Sequence, residues 1–333
     1  MDNTQKDHLK AYGFAYWILK QKDNIDWLLN YRGGSFLIDA KEIYNQESKL
    51  RGITSTYITS NDLNKIYQNI EDNNMSIILL EKLPNIAVYS PPDKQPWDDA
   101  VTLALTYAEV DYDVIFDDEI LNGDLKKYDW LHLHHEDFTG QYGKFYKSFR
   151  NTSWYKKLEN DFKKIASKHG FRSVPNLKKN IAFLIKEYIN NGGFLFAMCS
   201  ATDSYDIALA AENTDICSFM FDGDNADPDA QKKLDYNKTL AFKNFTLVTN
   251  PNIYEFSSID ATRTRKVKAE VDFFTLFDFS AKWDPVPTML CQNHMQVIAG
   301  FMGQTTSFRN EFIKSDVLIM GETKANNEAR YIH

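Results

Sequence analysis

Residues 192–204 read GGFLFAMCSATDS, and this stretch decides the fold. The two glycines mark a turn, and the five apolar residues from Phe194 to Met198 predict a buried β-strand. A helix is predicted to start near Asp203. Cys199 therefore occupies a tight turn between a strand and a helix, at the edge where parallel sheets carry their functional sites.

Strand and helix patterns alternate along the chain, which predicts an α/β fold with a mostly parallel sheet. The clearest unit is residues 85–116, where a short strand, a proline-rich loop and an apolar-striped helix precede another strand. The predicted strands are 25–31, 85–90, 110–116, 129–133, 192–198, 316–322 and 328–333, and the predicted helices are 8–21, 97–109, 153–169, 176–190 and 204–212.

Domain limits are predicted from the order of these elements, because no low-complexity linker interrupts the chain. Residues 1–80 are expected to form an N-terminal α/β subdomain packed on the main sheet, and residues 81–333 the main domain. Each part lacks one strand of a complete unit, so we expect a chain truncated at both ends. The last strand, 328–333, is predicted to lie at an exposed sheet edge.

Composition and charge narrow the classes of function. The 333 residues carry a net charge of −8 without a basic stripe, so no nucleic-acid partner is expected. No run of 18 apolar residues exists, so no membrane partner is predicted. Three cysteines without paired spacing predict no disulfide framework. We expect a soluble protein, cytoplasmic as given, or periplasmic or secreted with a leader, that acts on a small molecule without a cofactor.

The position of Cys199 has two interpretations. A strand-to-helix turn is the layout of a nucleophile elbow, in which the helix N-terminus favours the thiolate and the backbone N–H of Ser200 stabilises an oxyanion. The glycines that usually flank such a nucleophile are replaced by Ala197 and Ala201. In the other interpretation Cys199 is a small buried hydrophobic residue.

A second candidate cluster is the run His132, His134, His135, Glu136 and Asp137 at the end of a predicted strand. The spacing approaches the H-x-H-x-D-H pattern of di-metal hydrolases, but glutamate and aspartate stand at its fifth and sixth positions. We expect a core role for His132 and a pocket role for the other four, with no metal. The acidic segment FDGDNADPDA (221–230) lacks the ligand order of a calcium loop and predicts a solvated turn.

Several blocks resemble the class I glutamine amidotransferase-like fold and its trehalose-utilisation, ThuA-like branch. They are NIAVYS (85–90), DYDVIFDDEI (111–120), LHLHH (131–135) and NNGGFLFAMC (190–199). Longer blocks, among them DWLHLHHEDFTGQYGKF (129–145) and FLFAMCSATDSYDIALAAE (194–212), are similar to a bacterial group called asparagine synthetase B. The resemblance implies a three-layer, flavodoxin-like domain with glutaminase-like activity, in which the loop after residue 133 contributes to the oxyanion pocket.

The resemblance has two departures. A well-studied asparagine synthetase begins with cysteine and carries an S-G-G-x-D-S loop, whereas this chain begins Met1-Asp2 and reads CSATDS at 199–204. Amidotransferases of class I also carry a His-x-Glu pair late in the domain. Here the only histidine between Cys199 and His333 is His294, and Gln296 replaces the glutamate. We therefore expect the catalytic base beyond His333.

The sequence leads to one main hypothesis and two alternatives. The main one is a thiol-dependent amidohydrolase, and the alternatives are a non-catalytic module that binds an amide or sugar-like ligand, and a metal-assisted hydrolase using residues 132–137. The predicted catalytic residues are Cys199, His134, His135 and Glu136, and the predicted ligand-binding residues are Ser200, Asp137, Thr139, Gly140, Gln141 and His294.

Overall fold

The computed structural model describes residues 1–91, 100–261, 272–277, 280–283, 297–300, 304–323 and 328–333. The chain divides into two compact units. The first comprises Met1–Pro84, Gln95–Tyr112 and Leu276–Ile298, and the second comprises Asn85–Lys94, Asp113–Thr275 and Ala299–His333. The predicted domain limit between residues 80 and 81 stays a prediction.

The first unit combines helices with a small antiparallel sheet. Its helices are α1 (His8–Lys20), α2 (Glu42–Leu50), α3 (Ser60–Asp72) and α4 (Ala100–Ala108). Its strands are β1 (Ile25–Leu29), β2 (Ser35–Leu37) and β3 (Ser76–Leu80), in the order β2-β1-β3. Helix α1 starts where the Asp7 carboxylate accepts the backbone N–H of Lys10, and Gly13 allows it to approach the Ala108 carbonyl of α4.

The second unit contains a four-stranded parallel sheet, which confirms the α/β class. Its strands are β4 (Ile86–Tyr89), β5 (Asp113–Ile115), β6 (Trp130–Leu133) and β7 (Phe194–Ala197). The order β5-β4-β6-β7 is compatible with a flavodoxin-like layout. In register, His132 of β6 pairs with Val88 and with Phe196, so β6 and β7 end at the same level.

The second unit also contains helices. They are α5 (Asp117–Leu121), α6 (Tyr146–Phe149), α7 (Ser153–Lys168), α8 (Val174–Asn190), α9 (Ser200–Ala210), α10 (Phe219–Asp222) and α11 (Ala230–Lys233). The N-caps Thr152 and Ser173 start the two long helices, which are those predicted at 153–169 and 176–190. Leu177, Ile181 and Ile185 repeat every four residues and bury one stripe of α8 in the core.

A buried ion pair joins α8 to the first residue of α5. The Lys178 ammonium on α8 donates to both carboxylate oxygens of Asp117, at 2.9 and 2.8 Å, and to the Tyr89 hydroxyl at 2.8 Å. Both charged side chains are almost completely buried. Phe116 and Phe162 also place their rings against the ammonium.

The predicted exposed edge at the end of the chain is wrong. Strand β12 (Glu328–Ile332) lies between β10 (Phe308–Arg309) and β11 (Ile319–Thr323), and it pairs with both in antiparallel orientation. Strands β8 (Phe273–Leu276) and β9 (Val297–Ala299) complete the sheet order β10-β12-β11-β8-β9. The two-residue strand β10 pairs with the edge of β12 that we expected to be open. A strand this short shows no alternation of apolar and polar residues, so the sequence does not reveal it.

No helix in the described part of the chain combines the length and apolar character that a bilayer crossing requires.

Candidate functional site

The turn at Cys199 has the backbone of an elbow. Cys199 is the N-cap of α9 and has φ 52° and ψ −140°, a conformation that residues with a side chain rarely adopt. Strand β7 ends two residues earlier, and the Met198 N–H continues the pairing by donating to the Leu133 carbonyl at 2.9 Å. The side chain of Cys199 is half-buried. The structure therefore has the predicted strand, sharp turn and helix.

The loop that follows β6 is fastened to the first turn of α9. The Ser200 hydroxyl donates to the His135 carbonyl at 2.9 Å, and the Ser204 hydroxyl donates to the Glu136 carbonyl at 3.2 Å. The Ala201 N–H donates to the His134 carbonyl at 3.2 Å. These bonds bring the two predicted site segments, 134–141 and 199–204, into direct contact.

The three histidines of this loop have different environments. His132 is completely buried and its ring stacks on Phe196 at a centroid distance of 5.7 Å, as expected for a core residue. His134 and His135 are partly exposed, and their Nδ1 atoms lie 3.4 Å apart. Glu136 is buried and its Oε2 accepts the His134 N–H at 2.9 Å.

Asp137 holds the rest of the loop in place. Its Oδ1 accepts the N–H and the hydroxyl of Thr139, at 2.7 and 2.6 Å, and its Oδ2 accepts the Gly143 N–H at 3.0 Å. Gln141 is buried and donates to the Thr139 hydroxyl at 3.0 Å. These contacts make Asp137, Thr139 and Gln141 part of the internal framework of the loop, and their predicted contact with a ligand stays a prediction.

Gly140 is required by packing and by backbone geometry together. Its φ is 77°, and a Cβ at this position would lie 2.6 Å from the Cα of Pro175. The chain therefore passes close to the start of α8 at a point where no side chain fits. Gly140 shapes the loop, and its predicted ligand-binding role also stays a prediction.

The thiol of Cys199 is neutral at pH 7. Burial raises its pKa to about 11, the nearby Asp203, Asp260 and Glu136 act in the same direction, and the Ser200 N–H opposes the shift. The Sγ donates to the Gln304 carbonyl at 3.1 Å. The expectation that the helix N-terminus would favour the thiolate is corrected here, because desolvation outweighs the N–H of the first turn.

Four residues of the site escaped the sequence analysis: Asp260, Gln304, Thr305 and Tyr254. The Thr305 N–H donates to Asp260 Oδ2 at 2.7 Å. Partial burial raises the pKa of Tyr254 to about 12, with smaller contributions from Cys199 and Asp260. These residues lie more than fifty positions beyond Cys199, in stretches without a motif, so no sequence signal identifies them.

Metal-binding geometry occurs away from the histidines. Within the described residues, only Asp215, Cys217 and Asp222 bring three ligand atoms within 4.8 Å of one another. The Lys179 ammonium lies nearby and weakens the negative potential at Cys217. The other acids of segment 221–230 pair with separate cations, Asp224 with Arg172, Asp227 with Lys233 and Asp229 with Lys232. The metal-assisted alternative at residues 132–137 therefore stays a prediction.

The predicted ligand residue His294 lies outside the described residues. Comparison with protein-family models found no match. Comparison with curated proteins and with solved structures found none either. The elbow and its loop therefore have to be interpreted from their own chemistry.

Proposed function

We propose that this protein is a thiol-dependent amidohydrolase of the class I glutamine amidotransferase-like kind, with Cys199 as its nucleophile. The observation that carries the proposal is the backbone of Cys199, at φ 52° and ψ −140° between a parallel strand and a helix. Such backbone costs about 1–3 kcal/mol and concentrates at functional sites. Cys199 is also half-buried rather than fully enclosed, so part of the residue is open to solvent.

The proposed reaction forms a thioester and then hydrolyses it. Cys199 Sγ attacks the amide carbonyl carbon, the S–C bond forms, and the C–N bond breaks as ammonia leaves with the proton that the thiol gave up. Water then attacks the thioester carbon, which releases the carboxylic acid and restores the thiol. The Ser200 N–H at the start of α9 is suited to stabilise the oxyanion of both steps.

In place of the base expected beyond His333, we propose Glu136 as the proton acceptor. It is buried, it is fixed by the His134 N–H, and its charge acts on Cys199. A neutral thiol with a raised pKa needs such a group, because the proton has to leave as the S–C bond forms. His134 and His135 are the partly exposed imidazoles beside it and are suited to hold the leaving group.

The test uses an activated ester and glutamine on the same protein. We expect p-nitrophenyl acetate to leave one acetyl group on the Cys199 peptide, and glutamine or a simple amide to yield ammonia. Cys199→Ala is expected to abolish both signals. Cys217→Ser is the matched control, because Cys217 is fully buried with its Sγ on the Thr139 carbonyl, and it should retain both. A folded protein that never acetylates at Cys199 rejects the proposal.

Two observations favour a second candidate, a ligand-binding module without chemistry. The Cys199 Sγ donates to a carbonyl, and the pKa of this thiol is raised to about 11. Both facts suit a thiol that orients a ligand by hydrogen bonding. In that case simple amides or sugars would stabilise the wild type in a thermal-shift assay, Cys199→Ala would weaken this effect, and no acyl group would appear on the wild-type protein.

A further inference from the structure

The segment that faces Cys199 has unusual backbone. Thr305 has φ 48°, which is a genuine outlier for a β-branched residue. The preceding residue, Gln304, accepts the hydrogen bond from Cys199 Sγ, and its side-chain amide donates to the Gly143 carbonyl at 3.2 Å. Two residues with side chains and positive φ, Cys199 and Thr305, are therefore connected through one carbonyl group.

Two buried carboxyl groups hold Thr305 in this conformation. Its N–H donates to Asp260 Oδ2 at 2.7 Å, and its hydroxyl donates to Asp203 Oδ1 at 2.9 Å. Asp203 is completely buried on α9, one turn after Cys199, and its Oδ2 has no hydrogen-bond partner among the described residues. Burial, reinforced by the charge of Asp260, raises the pKa of Asp203 well above its usual value.

We infer that Thr305 is a positioning residue for Cys199. The hydroxyl of Thr305 anchors the strained segment to Asp203, and that anchor holds the Gln304 carbonyl against the thiol. The positioning of the thiol follows from the hydrogen bonds alone. Only its use as a nucleophile rests on the proposed function. A carbonyl accepts a hydrogen bond from S–H and repels a thiolate, so the anchored segment favours the neutral thiol.

The consequence is a thiol that is restrained until the segment moves. Breaking the Thr305–Asp203 bond is expected to loosen the Gln304 carbonyl, which the bonds to Asp260 and Gly143 still hold in part, and to lower the pKa of Cys199. The groups that would still act on the thiol are Asp203, Asp260 and Glu136, with the Ser200 N–H opposing them. One lost hydrogen bond of ordinary strength corresponds to a change of about threefold to tenfold in the fraction of thiolate.

The experiment measures iodoacetamide labelling at Cys199, peptide by peptide, between pH 6 and pH 10. Thr305→Val keeps the β-branched shape and removes the hydroxyl, and we expect labelling at pH 8 to be about threefold to tenfold faster than in the wild type. Thr305→Ser keeps the hydroxyl and is the matched control, which should stay within about twofold of the wild type. Equal rates for wild type and Thr305→Val, or acceleration in Thr305→Ser, overturn the inference.

Cys217 reports whether a variant has merely loosened the fold, because it is fully buried and should stay unlabelled. If Thr305→Val exposes Cys217, a second pair of variants is compared. Asp203→Leu removes the oxygen that accepts the Thr305 hydroxyl, and Asp203→Asn keeps an oxygen there. Faster labelling at Cys199 alone in Asp203→Leu supports the inference, and labelling of both cysteines in both variants overturns it. Labelling does not require acyl transfer, so this result and the acetylation result can fail separately.

Discussion

Cys199 and Thr305 both have positive φ although each carries a side chain, and the Gln304 carbonyl lies between them. Glycine at either position would adopt the same backbone without a Cβ clash. The usual glycines of an elbow are absent from both sides of Cys199, where Ala197 and Ala201 stand. The strain is therefore borne by the cysteine itself, and the hydrogen bonds around it must maintain it.

Replacing Cys199 tests this strain directly. We expect the free energy of unfolding of Cys199→Gly to be about 1 kcal/mol higher than that of Cys199→Ala. The reason is that alanine keeps the Cβ that this backbone conformation disfavours. Both variants lose the thiol and its bond to Gln304, so the difference between them reports the backbone alone. Urea denaturation measures it. A glycine variant no more stable than the alanine variant would mean that the backbone of Cys199 is relaxed.

Helix α8 carries a charge into the core of the second unit. Lys178 interrupts an apolar stripe and is stabilised by Asp117 and the Tyr89 hydroxyl. Burial of such a pair adds little net stability, but loss of one partner leaves an uncompensated charge. The pair therefore fixes how α8 and α5 lie against the end of β4.

Lys178→Met is expected to destabilise the protein by about 3–5 kcal/mol, because it leaves the Asp117 carboxylate buried without a cation. The matched double variant Lys178→Met with Asp117→Asn should recover part of this loss, since the remaining amide is neutral and can still contact Tyr89. Chemical denaturation of the three proteins measures the coupling. Additive losses in the double variant would show that the two side chains do not interact.

The sequence was sufficient for the local elements and for the turn that ends at Cys199. Local sequence is enough to identify strands β6 and β7 and helices α7 and α8. Each of them shows its hydrophobic periodicity or its capping residue within one short stretch of the chain. Strand β10 has only two residues and no period, and its pairing with β12 depends on residues elsewhere in the chain. Thr305 and Asp203 are separated by 102 positions, so only the fold brings them together.

Among the described residues, the carboxyl groups whose pKa departs from its usual value fall into two sets with opposite pH behaviour. Burial raises the pKa of one set, to about 6 for Asp222, and its members are Asp203, Asp206, Asp215 and Asp222. A hydrogen bond from a neighbouring side chain is the main cause that lowers the pKa of the other set, Asp2, Asp7, Asp62, Glu109, Asp118, Asp161 and Asp227.

The two sets predict a stability maximum below neutral pH. The stabilisation linked to a raised pKa is complete below the unfolded value of about 4 and is lost as pH rises through the folded value. The stabilisation linked to a lowered pKa is present above about 4 and is lost on acidification. We therefore expect a higher melting temperature at pH 5 than at pH 7.

Asp203→Asn is the variant that checks the cause. The amide stays neutral at every pH, so this variant should gain stability at pH 7 and show a smaller difference between pH 5 and pH 7 than the wild type. Calorimetry at the two pH values measures both quantities. A wild-type protein that is more stable at pH 7 than at pH 5 would contradict the assignment of neutral buried acids.

Within about one turn, helix α9 is hydrogen-bonded to three different parts of the second unit, through Asp203, Ser204 and Asp206. A helix held in this way cannot tilt without breaking bonds on several sides at once. If a ligand binds at Cys199, as proposed, it would contact this anchored helix on one side and the partly exposed His134 and His135 on the other. Selection among ligands should be strict for the groups that face the helix and permissive for those that face the histidines.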